Sequence, residues 1–344
     1  MNKPSAPDHL RPKRPRLSDV AARCNLSKAT VSRVLSLPAD QCPIADHTRQ
    51  RVLKAVEELG YRPSWNARSL ARSRTNMIAI AYDASGAVPR GVYWEIVDAL
   101  DVSLAQAGLC PVFMHTYANV GRFVDYLGDG RFDGCISLGT LPPGALDVLS
   151  RNAVPTVLIN ADADDVWSQV KVDDVTGARL AMEHLLALGH RRIAYNAGRR
   201  PNTHPSAIAR AATYTKLMRE AGLKPDKPFV GPIEDFVDRL INGPYKPTAV
   251  LDFEHWTAVR VLQQLWRHGR TVPHDFSLVT FNDTFPLQVT MPPLSAVGLP
   301  ANEIAQHAMH MLLKQMEMPD APRQSVTLAG SLVVRESTAP PRAD

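Results

Sequence analysis

Leu17–Leu35 reads LSDVAARCNLSKATVSRVL, and the spacing of its apolar, capping and charged residues decides how the N-terminal part of the chain folds. A first helix is expected over about Ser18 to Cys24, with Val20 and Ala21 facing inward. Asn25 tolerates the left-handed conformation that ends a helix. Ser27 is placed to cap a second helix, with Leu26 and Val31 at the two positions of a hydrophobic staple. At about 100° per residue, Val31, Val34 and Leu35 form one narrow stripe, while Lys28, Ala29, Ser32, Arg33 and Ser36 fill the opposite side. A short helix held by one stripe and showing small and cationic side chains outward fits the major groove of DNA. Ala29 and Ser32 permit close approach, and Arg33 can fork onto guanine O6 and N7. A plain surface helix in a small bundle has the same pattern.

Working outward, a third helix is expected over about Asp46 to Leu59, with Val52, Ala55, Val56 and Leu59 closing a three-helix head. Gly60 and Pro63 stop it. Its charged residues (Arg49, Arg51, Lys54, Glu57, Glu58) read as solvated. Residues 1–16 form a basic, proline-rich lead expected to be disordered, and residues 63–75 a polar linker with a helical pattern. Residues 1–75 hold 15 Lys and Arg against 6 Asp and Glu, whereas the rest holds 24 against 28. A basic head on a slightly acidic body fits a polyanion-binding module joined to something else, although a solvated basic tail gives the same imbalance.

From Asn76 the texture changes to apolar runs alternating with amphipathic stretches. Strands are expected at Met77–Ala81, Pro111–Met114, Gly134–Leu138, Pro155–Asn160, Arg192–Asn196, Thr248–Asp252 and Phe276–Phe281. Helices are expected at Tyr93–Ala107, Val175–Leu188, Ala207–Ala221, His255–His268 and Ala301–Met318. This alternation means parallel α/β units, and about 265 residues of it are more than one sheet usually holds, so residues 76–335 should form two Rossmann-like lobes. No sequence repeat is visible. Residues 336–344, rich in Ser, Thr, Ala and Pro, are expected to fray.

With these stretches in view, the chain resembles the lactose-repressor family of bacterial transcription regulators. The resemblance rests on LSDVAARCNLSKATVSRVL, TRQRVLKAVEELGYRPSWNARSLARSRTNMIAI, DDVTGARLAMEHLLALGHRRIAYNAG, PTAVLDFEHWTAV, FSLVTFND and PPLSAV, in that order from Leu17 to Arg335. It implies an all-α helix-turn-helix head, a hinge helix and an α/β body of two lobes like a periplasmic sugar-binding protein. Lys28, Ala29 and Arg33 then fall where such proteins read base edges, and Ser27, Thr30 and Ser32 where they touch phosphates. Leu70 falls on the hinge leucine that wedges into the minor groove, where Arg68 and Arg72 can meet phosphates. Few apolar residues accompany Leu70, so the hinge is expected to fold only on DNA. The connection SLPADQCPI looks about three residues longer than is usual in the family.

Ligands of open α/β sheets bind at the carboxyl ends of the strands. The candidates are therefore Asn160, Asn282, Glu254 and, at the next helix start, Tyr93, with Asp83, Ser85, Trp94, His255 and Asp283 weighed beside them. The resemblance places Arg210 on the effector-clamping arginine, and His204 and Ser206 on lining positions. Core packing competes for Trp94, a loop position for His204, helix capping for His255 and a strand-end turn for Asp283. Where sugar-binding members carry Asn-Asp after the strand, this chain has Glu254-His255, and Asn282 stands where many have Asp. Arg210 with His204 would also suit a sugar acid or phosphorylated sugar.

The pattern calls for no catalytic residue, cofactor or metal: no phosphate loop, GxGxxG after a strand, HExxH or GxSxG is found, and the four cysteines lie far apart. No apolar run spans a membrane and no export signal is visible, which implies a cytoplasmic, nucleoid-associated protein. The expected partners are a pseudo-palindromic double-stranded operator, a small-molecule effector and a second copy in a homodimer. The ending RESTAPPRAD has no apolar heptad of the kind that builds tetramers. A solute-binding protein or an α/β enzyme with an accessory DNA-binding head are the competing readings.

Overall fold

The computed structural model describes residues 15–342 except 38, 63–68, 70–73, 83–91, 117–119, 162, 165 and 199–203. It divides into two compact units, residues 1–75 and 76–344.

The first unit holds α1 (Leu17–Cys24), α2 (Lys28–Ser36) and α3 (Asp46–Leu59). Asn25 ends α1 in the left-handed conformation, at φ 48°. The Ser27 hydroxyl accepts the Thr30 N–H at 3.0 Å and so starts α2 one residue later. Val20, Ala21, Cys24, Val31, Val34, Val52 and Ala55 are buried together, with Leu26, Leu35, Val56 and Leu59 packed around them. The Arg23–Glu58 ion pair at 2.7 Å ties α1 to α3. Part of the long α2–α3 connection winds into a 3-10 turn at Ala39–Gln41.

The second unit has two sheets. Its elements are β1 (Met77–Tyr82), α4 (Val92–Gln106), β2 (Cys110–His115), α5 (Val120–Gly128), β3 (Gly134–Leu138), α6 (Ala145–Arg151), β4 (Thr156–Ile159), β5 (Ser168–Val172), α7 (Asp174–Ala187), β6 (Ile193–Asn196), α8 (Pro205–Glu220), α9 (Ile233–Asn242), β7 (Ala249–Asp252), α10 (His255–Arg267), β8 (Ser277–Phe281), α11 (Phe285–Gln288), β9 (Ser295–Gly298), α12 (Ala301–Glu317), β10 (Ser325–Leu328) and β11 (Ser331–Val333). The first sheet runs β2-β1-β3-β4-β5-β10 and is parallel throughout. The second runs β6-β7-β8-β9-β11, with β11 antiparallel, and Phe229 bridges the outer edge of β6.

The lobes thus repeat one strand order, with the Phe229 bridge standing where β2 stands in the first lobe. No residue pattern announces this repeat, because it lies in the connections rather than in matching side chains.

The chain crosses between sheets three times, after β5, after β9 and after β10. Each crossing carries a helix or strand into the other lobe's core. Ala178, Ala181, Met182 and Leu185 of α7 pack under the second sheet. Ile304, Ala308, Met311 and Leu312 of α12 pack under the first. Buried Gln315 of α12 pairs with β4 through both of its amide atoms, accepting the Thr156 N–H and donating to the Thr156 carbonyl at 3.2 Å each. At Gly134 an added Cβ would sit 2.9 Å from Leu312 Cδ1, so β3 starts with glycine where α12 comes closest.

Two expectations need correction. The strands β5, β9, β10 and β11 and the helices α5, α6, α9 and α11 were not among those expected from the pattern. The tail, expected to fray, is docked as far as residue 342. Ser337 is fully buried: its hydroxyl donates to the Leu278 carbonyl at 2.6 Å and accepts the Ser295 N–H at 2.8 Å. The Ala339 carbonyl takes hydrogen bonds from Ser277 Oγ at 2.9 Å and from His190 Nε2 at 3.0 Å. A segment with no apolar pattern is held here by hydroxyls and backbone, which hydropathy does not register. No helix among the described residues is long and apolar enough to cross a membrane.

Candidate nucleic-acid interface and ligand cleft

On α2, Lys28, Ala29, Ser32 and Arg33 are exposed, Thr30 is half-buried, and Val31 and Val34 face the core. Ser27, also exposed, pairs its hydroxyl with that of Thr30 at 2.8 Å, which fixes both at the helix N-terminus. There the backbone N–H groups and the positive end of the helix dipole favour a phosphate. The outward face is thus cationic and small, with no bulky side chain to hold α2 away from a groove floor. Arg68, Leu70 and Arg72 lie outside the described residues, as do Asp83 and Ser85.

In the body, the carboxyl ends of the strands gather Asn160 after β4, Glu254 and His255 after β7, and Asn282 after β8. Asn160 and Asn282 take left-handed backbone at φ 50° and 66°, and each N–H donates to the neighbouring strand, to the carbonyls of Val170 and Val297. They occupy matching places in the two lobes. The Asn160 amide donates to the buried Ser206 hydroxyl at 3.4 Å, so the first lobe meets the first turn of α8 in the second. His204 caps α8, its Nδ1 accepting the Ser206 N–H at 3.2 Å. Tyr93 packs half-buried on the first-lobe core, whereas Trp94 is about half exposed. Asp283 receives both Nη atoms of Arg335 at 2.7 and 2.8 Å, and so anchors the C-terminal segment.

Arg210 is only 5 % exposed. Its Nε donates to Asp174 Oδ1 at 2.7 Å, its Nη2 lies 2.7 Å from the same oxygen, and its Nη1 donates to the Phe253 carbonyl at 2.8 Å. The guanidinium lies 4.1 Å from the centre of the Phe281 ring. The arginine expected to clamp an effector is therefore already neutralised from within, by a carboxylate that the sequence reading missed. Asp174 was legible only as the second acid of an Asp-Asp pair of which the first, Asp173, caps α7.

Glu254 caps α10, accepting the Thr257 and Trp256 N–H groups at 3.1 and 3.2 Å. Burial raises its carboxyl above the usual range. Behind it Asp252 is fully buried, accepting hydrogen bonds from the Asn196 amide at 2.7 Å and from the Thr257 hydroxyl. Desolvation dominates there and pushes its pKa from 3.8 up to about 7. The apparent signal was an acid inside the apolar run AVLDF. His255, next along, is buried, and desolvation with the Arg210 charge lowers its pKa from 6.5 to about 4. Among the described residues no cluster of His, Cys, Asp and Glu could hold a metal ion.

Asp252 carries a signed pH effect. The unfolded chain loses this proton near 3.8 and the folded chain near 7. Its contribution is therefore full below the unfolded value, falls as pH rises between the two, and is constant above the folded one. Urea denaturation should show the parent losing stability relative to Asp252→Asn over that interval. A difference independent of pH would show the carboxyl ionised throughout.

The head and the body each match a known family. Residues 16–64 match the model of bacterial regulatory proteins, lacI family, and residues 182–338 that of the periplasmic binding protein-like domain. The transcriptional repressor CytR of Escherichia coli is 30 % identical over 335 residues, covering 94 % of this chain and 96 % of that one. The chain belongs to the lacI family. Among solved lacI-family structures, the lac repressor dimer bound to operator and the anti-inducer ONPF is 26 % identical, with a TM-score of 0.80 over 95 % of this chain and 100 % of that one. The CelR–cellobiose complex is 25 % identical, with a TM-score of 0.68 over 94 % and 100 %. The fold expected from the resemblance, a helix-turn-helix head and a two-lobed α/β body, is the fold observed. This lacI-family chain is a DNA-binding regulator of transcription, and the relatives it matches are regulators rather than enzymes.

Proposed function

We propose that the chain is a homodimeric, cytoplasmic, nucleoid-associated repressor, whose grip on a pseudo-palindromic operator is set by a small molecule held between the lobes. The exposed face of α2 carries this reading. Lys28, Ala29 and Arg33 read base edges in the major groove while Ser27, Thr30 and Ser32 meet phosphates. Residues 63–75 form the hinge, with Leu70 as its wedge and Arg68 and Arg72 beside it. Tyr93, Asn160, His204, Ser206, Arg210, Glu254 and Asn282 border the effector. The lac repressor dimer, solved on its operator, supports the two-fold arrangement, and the cellobiose complex of CelR supports a sugar-sized ligand.

Three chain crossings let the lobes turn on one another, and a ligand preferring one lobe angle shifts the spacing of the two hinges in a dimer. DNA affinity then changes without any ligand contact to DNA. Leu70→Ala is expected to weaken operator binding about tenfold, ~1.4 kcal/mol, with effector affinity of the free protein unchanged. Fluorescence anisotropy on a duplex from the chain's own upstream region reads the first and calorimetry the second. Operator binding equal to the parent's would refute the wedge.

A further inference from the structure

The buried polar atoms at the carboxyl edge of the second sheet are not all paired. His255 is 3 % exposed, and neither ring nitrogen has a hydrogen-bond partner among the described residues. Glu254 Oε2 lies 3.4 Å from Nδ1 but is directed to the Trp256 N–H. The neighbouring Trp256 indole, its ring centre 5.4 Å from that of His255, also has a buried and unpartnered Nε1. Such atoms are costly when left unsatisfied, so a ring with two of them is retained for something it meets. The charges nearby say what kind of group that is. Arg210, the cation beside it, is committed to Asp174 and the Phe253 carbonyl. His204 is occupied as the cap of α8, accepting the Ser206 N–H through Nδ1. The carboxyls of Asp252 and Glu254 stand close by.

Resting on the effector reading above, we infer that the effector is uncharged at the point of contact. It presents a hydroxyl or amide edge to the donor and acceptor of neutral His255 and to the Trp256 indole N–H, and these residues set its specificity. A neutral imidazole offers one donor and one acceptor, which a sugar hydroxyl or a nucleobase amide matches and a carboxylate or phosphate does not. The sugar acid or sugar phosphate allowed by Arg210 with His204 is thereby disfavoured. Arg210 holds Asp174 and the β7–α10 turn in place and acts as a positioning residue.

The test uses the full chain and five probes: D-ribose, cellobiose, adenosine, D-gluconate and ribose 5-phosphate. Thermal unfolding of the parent should shift upward with at least one of the three neutral compounds and with neither acid. His255→Phe removes both ring nitrogens at similar volume. It should lose that shift, with affinity falling at least tenfold, while the ligand-free protein melts at the parent's temperature or above. His255→Gln, which keeps a donor and an acceptor, should retain part of the affinity. A shift with the acids and none with the neutral compounds, no shift with any probe, or His255→Phe binding as the parent does, overturns the inference. So does a large fall in the ligand-free melting temperature of His255→Phe, which marks a structural ring. Gel shifts of the same proteins on operator DNA, run without ligand, separate this result from a failure of the regulator reading, since His255→Phe should bind DNA as the parent does.

Discussion

Replacing Asp174 by alanine is expected to destabilise the body by about 3–5 kcal/mol, because it strands the Arg210 guanidinium without its counter-charge. The two side chains are 8 % and 6 % exposed, so solvent cannot take over the lost partner. Stability follows the pairing rather than the presence of charge. The double replacement Asp174→Ala, Arg210→Met should therefore recover much of the loss, since an apolar side chain can fill the space between Phe253 and Phe281 without desolvation cost. At about 2–4 °C per kcal/mol, the single variant should melt roughly 10 °C below the parent. Calorimetry on the three proteins checks this, and a single variant within 2 kcal/mol of the parent by the same slope, ~4–8 °C, would show that water reaches the arginine.

On the operator, Arg33→Ala is expected to cost about 1–3 kcal/mol and to relax the preference at one base position. The side chain projects from the exposed face of α2, one residue before buried Val34, so its removal leaves the head's core intact. Arg14→Ala in the basic lead should weaken binding less and equally on all sequences, with a reduced salt slope, as a phosphate contact does. Titration of each variant on operator and random duplexes separates the two. Equal losses for Arg33→Ala on both duplexes would place that arginine on phosphate.

The head was legible because its information is local. Ser27, Asn25 and Gly60 mark helix ends by their own chemistry, and the stripe of Val31 and Val34 needs only the pitch of a helix to be found. The strands β1, β3, β4, β6, β7 and β8 were legible for a related reason: they are buried along most or all of their length, and their burial shows as mainly apolar runs. The unexpected strands sit beside the lobe crossings. β5 is SQVKV and β10 is SVTL, short and mixed, with partners supplied from far along the chain. Their pairing is a property of the tertiary fold, and no window of sequence contains it. The same holds for the cleft. Asn160 could be placed at a strand end, and Ser206 and Arg210 by the family resemblance, but the Asp174 partner that neutralises Arg210 lies on a helix carried over by a crossing. Glu254 is marked as a candidate by the strand it follows, whereas its capping role depends on where α10 starts.

Affinity selection from a random duplex library with the full chain tests most directly that this is a two-fold, sequence-reading regulator. The account predicts enrichment of an inverted repeat, with a flexible pyrimidine–purine step at its centre where the paired hinges would kink the duplex. A pool with no enriched sequence, or a single unrepeated half-site, would contradict it.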